Sequence, residues 1–315
     1  MNKREMIILT PVLKENVWGG KRLVTEFPYE AEGEHIGECW AISAHPHGDC
    51  VVKEGTYQGM TLSQLYAEHR ELFGGICAEE FPLLVKIIDA RENLSIQVHP
   101  DDGYVKAHEH CPFGKTECWY VMDCPENASL VIGHHAQTRQ ELEQMIHEDR
   151  YEELIRWVPV KKGDFIQIHP GTVHAIEAGF LILETQQNSD IIYRVYDYGR
   201  LQNGKPRQLH VEQSIAVINV PDDSDKRAVS HTDALPPNQM NLLVECDYYK
   251  VWKVAVTEKM SLEQEYPFLI VSVLEGEGTV DGSPVQKGSH ILLPAGYGVV
   301  ELRGKMELIL STAVE

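Results

Sequence analysis

The chain has no apolar run approaching the ~18 residues that a bilayer-spanning helix needs, and its start, MNKREMIIL, lacks an apolar signal core followed by a small-residue cleavage site. Neither secretion nor membrane insertion is expected, and the cytoplasm is the default location. There is no CxxC pair: Cys39, Cys50, Cys77, Cys111, Cys118, Cys124 and Cys246 are odd in number and scattered, which fits neither a disulfide framework nor a thiolate zinc site. Positive charge is scarce. Lys and Arg total 28 against 48 Asp and Glu, a net charge of −20, and no basic stretch offers a footprint for a polyanion. Nucleic acid is not expected as a partner. A small anion is not excluded, because a few cations inside a cleft dominate the potential there.

What is present is the composition of a globular protein, 43% hydrophobic and 24% charged, on 315 residues, more than one domain usually takes. FPLLVKIIDA, LSIQVHP, CWYVMD, SLVIGH, DFIQIHP and FLILETQ are β-branched or aromatic runs separated by Gly, Pro, Asn and Asp, which predicts a mainly β protein of sandwich or barrel type. Helices are predicted near residues 61–73 and 138–157, where Thr61 with Gln64 and Thr138 with Glu141 have the form of capping boxes ahead of apolar positions at helical spacing. The second segment reads as one helix or as two broken near Asp149. A polar stretch with a Pro-Pro pair, residues 221–241, reads as a linker between a domain of residues 1–220 and a smaller β-domain of residues 242–315. KKGDFIQIHPGTVHA in the first and QKGSHILLPAGYGVV in the second share a theme, which suggests a duplicated β-barrel.

Gln97 and His99 stand two apart on a predicted strand, so both side chains leave the same face. Glu117 begins the next strand, and His174 ends a Pro-Gly turn after a third. One carboxylate, two imidazoles and an amide oxygen suit a single borderline divalent ion such as zinc, with room left for water or substrate. Gln97 is the weakest donor of the four, a neutral amide that could yield to either.

This arrangement resembles the cupin superfamily, whose second motif is matched by Gly163, Pro170, Gly171 and His174; Gln97 stands where many cupins have His. Gln-x-His-Pro with GKTE downstream resembles type I mannose-6-phosphate isomerase in its short microbial form. The likeness extends over VWGG (17–20), GECWAIS (37–43), residues 81–102, 114–119, 169–175 and 184–200. What the resemblance implies is a fold of two cupin-type barrels (jelly roll), one catalytic and one smaller and degenerate without metal. It also implies interconversion of mannose 6-phosphate and fructose 6-phosphate, with zinc on Gln97, His99, Glu117 and His174. Arg194, Lys115 and Glu184 take the catalytic positions, and Ser95 and Asp190 those that bind substrate. The expected partner is a small sugar phosphate, and the expected form a monomer or weak homodimer.

The chemistry is consistent with these residue types. Moving a carbonyl from C1 to C2 requires proton removal beside a carbonyl and places negative charge on enediolate oxygens, which a divalent ion and the Arg194 guanidinium can stabilise. Glu184, Asp190, Lys115 and a metal-bound water remain as candidates for the base that shuttles the proton. Two rival readings stay open at this point: a cupin iron dioxygenase, and a sugar-binding module without turnover. Trp18, Trp40 and Trp119 are assigned to the core rather than to the site.

Overall fold

A computed structural model describes residues 5–226 and 228–314; the first four residues of the expected amino-terminal domain, Arg227 of the expected linker and Glu315 lie outside the described residues. Three antiparallel sheets stack on one another. The central one has seven strands in the order Val229–Ser230, Phe165–Ile168, Glu117–Asp123, Leu181–Gln187, Leu83–Asp89, Ile36–Ile42 and Val12–Gly20. Its middle strand LILETQQ and the neighbouring LLVKIID are buried along their whole length, because both faces of this sheet are covered.

The alternation in the Glu117–Asp123 strand assigns the faces. Trp119 and Val121 pack with Leu130 and Ile132 of a five-stranded sheet, ordered Tyr193–Tyr196, Ile96–Val98, His174–Ala175, Ser129–His134 and Ile155–Pro159. Cys118, Tyr120 and Met122 face the other way, toward Phe268, Ile270 and Ile309 of a nine-stranded sheet built mainly from the carboxy-terminal residues. The strand Ile7–Thr10 joins that last sheet by pairing Ile7 with Leu292, so the two ends of the chain share one sheet.

The mainly β class with a few helices is found, but among the described residues the closed cupin-type barrels are not. Each sheet runs from one free edge to another without returning to its first strand, and the Glu117 and Gln97 strands belong to different sheets rather than to one closed wall. The reason lies in what alternation encodes. A strand in a barrel and a strand in an open, stacked sheet both bury one face, so the pattern that predicts burial is silent on closure.

The helix from Leu62 to Glu68 has the full capping box, with Thr61 accepting from the Gln64 amide and Gln64 Oε1 accepting from the Thr61 amide. A 3₁₀ turn, Arg70–Phe73, follows and stops at Gly74 in the left-handed region. The second helical segment is two pieces, Arg139–His147 and Tyr151–Leu154, separated at Asp149, whose φ is +56°. Its expected last residues, from Ile155, are strand instead. Glu141 reaches past Thr138 to accept from the Gln137 amide. Within the segment expected to be a linker, Ser230 and Val229 pair with Phe165 and Ile166, and Asp222 and Asp225 hold Arg156 at 3.0 and 2.9 Å.

Candidate metal centre

The site lies where the inner face of the central sheet meets the five-stranded sheet. From the central sheet come Glu117, Glu184 and Lys86, with register partners Glu117 and Gln186, Glu184 and Trp119, and Glu184 and Lys86 setting them side by side. From the five-stranded sheet come His174 and Gln97, paired with each other, and Arg194, paired with Gln97 on the other side. These three occupy one row across adjacent strands and leave the same face of the sheet. Gly171 makes the preceding turn possible: its φ is +81°, and a Cβ there would meet Asn219 Nδ2 at 2.4 Å. Its amide donates to the His99 carbonyl at 2.9 Å, tying the His174 turn to the His99 loop.

His99, Glu117 and His174 are fully buried and converge, with one candidate ligand atom from each within 4.8 Å of the others. The two Nε2 atoms are 3.1 Å apart, His174 Nε2 is 3.3 Å from Glu117 Oε1, and His99 Nε2 is 3.4 Å from Glu117 Oε2. His174 Nδ1–H donates to the Thr172 carbonyl at 2.9 Å, which turns an Nε2 lone pair inward. Lys115 Nζ borders the group, 2.8 Å from Glu117 Oε2 and 3.2 Å from His99 Nε2.

Burial drives the two histidines toward the neutral, ligating form; His99, with Lys115 beside it, is pushed down to about 3. Burial opposes the charge of Glu117, but the Lys115 ammonium outweighs it and holds the carboxyl well below the usual range. The donor set fits a divalent cation. Glu117 Oε1 is buried without a hydrogen bond and faces the inward lone pair of His174 Nε2 at 3.3 Å, while Lys115 reaches only Oε2, so acceptor meets acceptor in an arrangement that a cation between them would relieve.

Glu184 stands beside this group. Burial and then the Glu117 charge raise its pKa, opposed by Lys115, Lys86 and a 2.9 Å bond from Trp119 Nε1–H to Oε2. Lys86 Nζ is 3.2 Å and Lys115 Nζ 3.9 Å from Glu184 Oε1. Burial works against the Lys115 charge, yet Glu117 and Glu184 raise its pKa, so it stays an ammonium.

The other expected residues are placed with less contact. Gln97 is buried in the row between Arg194 and His174, and Ser95, also buried, shares its parity two residues earlier. Arg194 is partly buried, its Nε without a hydrogen-bond partner. Nearby, Arg207 binds Asp197 through two guanidinium nitrogens, and Arg200 Nη1 lies 3.8 Å from the same carboxylate. Asp190 is held by His47 Nδ1 at 2.5 Å and His45 Nε2 at 3.4 Å.

His45, His47 and Asp190 also lie within ligating distance of one another. However, His45 Nδ1 accepts the His47 amide at 3.1 Å, so the neutral ring carries its proton on Nε2 and points a donor at Asp190. This trio is a hydrogen-bonded clamp rather than a ligand set. Sequence reasoning missed Lys86, Trp119, His45 and His47 as neighbours of the site. Trp119 is fully buried as assigned, and its ring nitrogen also touches Glu184. Two residues of spacing from Glu117 was the signal that could have found it.

Among the described residues, no helix is long and apolar enough to cross a membrane. Comparison with known proteins gives a uniform result. The family model for the phosphomannose isomerase type I catalytic domain matches residues 6–126, and that for the mannose-6-phosphate isomerase cupin domain matches residues 239–313. The chain is 47% identical over 312 residues, 98% of each protein, to mannose-6-phosphate isomerase ManA of Bacillus subtilis. It is 43% identical over 316 residues, 99% of each, to mannose-6-phosphate isomerase of Streptococcus mutans. A crystal structure of the mannose 6-phosphate isomerase from Bacillus subtilis superposes with a TM-score of 0.88 at 41% identity, covering 98% of this chain and 99% of that one. With likeness of this degree along almost its whole length, the chain belongs to the type I mannose-6-phosphate isomerase family, in its short microbial form.

Proposed function

We propose that the chain interconverts mannose 6-phosphate and fructose 6-phosphate through an enediol or enediolate, with one zinc ion held by His99, Glu117 and His174 and Gln97 as a weaker fourth donor. The observation that carries this reading is the buried triad itself, in which Glu117 Oε1 has no donor and the neutral imidazole nitrogens converge on the carboxylate beside a second buried carboxylate, Glu184. The names of the relatives agree with it. A nitrogen and oxygen donor set of this kind suits zinc, which when bound supplies Lewis-acid polarisation of the sugar oxygens.

The remaining work falls to the chain. Glu184 is the base: it takes the proton from C2 of the open-chain aldose and returns it to C1 while the O2 hydroxyl proton passes to O1, and its raised pKa brings it nearer the pH at which a carboxylate both accepts and releases a proton. Lys115, kept cationic by its two carboxylates, stabilises charge developing on the sugar oxygens and is not the base. Arg194 presents a second cation to the same charge from the facing sheet. Ser95 and Asp190 contact the sugar phosphate, and Arg200 and Arg207 add positive charge near Arg194, offset in part by Asp197.

The test is a coupled assay of mannose 6-phosphate conversion. Chelation should abolish turnover and added zinc should restore it. Full turnover after exhaustive metal removal, or consumption of dioxygen by an iron-loaded form in place of isomerisation, would sink the proposal.

A further inference from the structure

We infer that His210 is a positioning residue for Arg194, clamping its backbone through the imidazole Nδ1 and the His210 amide so that the guanidinium is held in the row with Gln97 and His174. The inference rests on the catalytic reading of Arg194. Tyr193–Tyr196 is the edge strand of the five-stranded sheet, so among the described residues its outward N–H and C=O groups have no strand beside them. At Arg194 both are met by one residue: Arg194 N–H donates to His210 Nδ1 at 3.1 Å, and His210 N–H donates to the Arg194 carbonyl at 2.8 Å. Because these groups point outward, Arg194 and Gln97 form the non-hydrogen-bonded type of antiparallel pair, in which side chains stand closest. The register slips immediately after Arg194, so the ladder alone does not fix this residue.

The His210 side chain is not spent on capping the helix that follows it. It occupies the N-cap position of the helix Val211–Val217 but makes no capping bond. Facing it are Arg194, the Tyr193 ring at 6.0 Å, and Glu109, which accepts from the Tyr193 hydroxyl at 2.5 Å. Burial and the Arg194 charge push its pKa down, with Glu109 acting the other way, so Nδ1 is a free acceptor at neutral pH. Protonation would set Nδ1–H against the Arg194 N–H, donor against donor, and open the clamp.

The experiment compares kcat and KM across about pH 5 to 8 for the wild type and for His210→Ala, His210→Asn, His210→Gln and Arg194→Ala, with bound zinc measured in each. His210→Ala should lose about tenfold in kcat with normal zinc content, the effect of one lost, partly buried hydrogen bond acting on turnover. An Asn amide oxygen reaches about as far as Nδ1 and does not titrate, so His210→Asn should restore kcat at neutral pH and fall less steeply in acid. His210→Gln, with its acceptor one bond farther out, should not restore it. Wild-type kcat in His210→Ala, or equal rescue by Asn and Gln, would overturn the inference. Should His210→Ala fail to fold, the Asn and Gln pair and the acid limb of His210→Asn decide alone. Wild-type turnover in Arg194→Ala would instead remove Arg194 from the reaction, and the inference with it.

Discussion

Trp119→Phe isolates one contact to the proposed base. Trp119 is fully buried and donates Nε1–H to Glu184 Oε2 at 2.9 Å, and Phe retains most of the ring without the donor. A hydrogen bond to a charged acceptor is worth about 1.5–3 kcal/mol, and about 1.4 kcal/mol corresponds to one pKa unit. The bond stabilises the ionised carboxylate, so its loss should raise the Glu184 pKa by about one to two units above a value that burial and Glu117 already elevate. A base works when deprotonated, so the acid limb of kcat/KM should move to higher pH by the same amount. Below the new limb the variant should be about tenfold or more slower than the wild type, and on the alkaline side the two should converge. The smaller ring should also cost about 2 kcal/mol of stability, measured by urea unfolding. A folded variant whose acid limb stays in place, or moves to lower pH, would refute the assignment of Glu184.

Two further outcomes concern stability. In metal-stripped protein, His99 has a folded pKa near 3 against 6.5 ordinarily, so the folded state binds fewer protons than the unfolded one. Its contribution is then fully present above pH 6.5 and is lost as pH falls toward 3; chelated His99→Gln should show a flatter decline of unfolding free energy over that window, and an unchanged slope would contradict the burial argument. Thr61→Ala removes one half of the capping box ahead of Leu62–Glu68 and should cost about 1 kcal/mol by the same unfolding assay without altering kcat.

The parts legible in the sequence are those encoded by local chemistry. Thr61 with Gln64 marks a helix start because the capping box is complete within four residues, and the reading holds in atomic detail. Thr138 with Glu141 has the same spelling, but the carboxylate found the Gln137 amide instead, a choice between two donors one residue apart that spacing does not settle. His99, Glu117 and His174 were legible as a set because their combination, more than any one residue, departs from what core histidines and solvated glutamates do. The family likeness extended that set to Lys115 and Glu184, which lie against it.

What could not be read is the meeting of two sheets. Glu117, Glu184 and Lys86 come from one and His174, Gln97 and Arg194 from the other, and among the described residues no hydrogen-bond ladder joins them. Alternation places each side chain on a face, yet which faces meet is decided by the packing of Trp119, Val121, Leu130 and Ile132, whose partners are distant in sequence. The same gap explains both the barrel that was expected and the residues that were missed. A closed wall would have kept every site residue within one ladder, where register alone predicts neighbours. In stacked sheets, Lys86 and Trp119 reach Glu184 along the ladder while Arg194 faces the site across the stack. Its aim therefore depends on something outside the ladder, and at that unsupported edge His210 supplies the missing pair of hydrogen bonds.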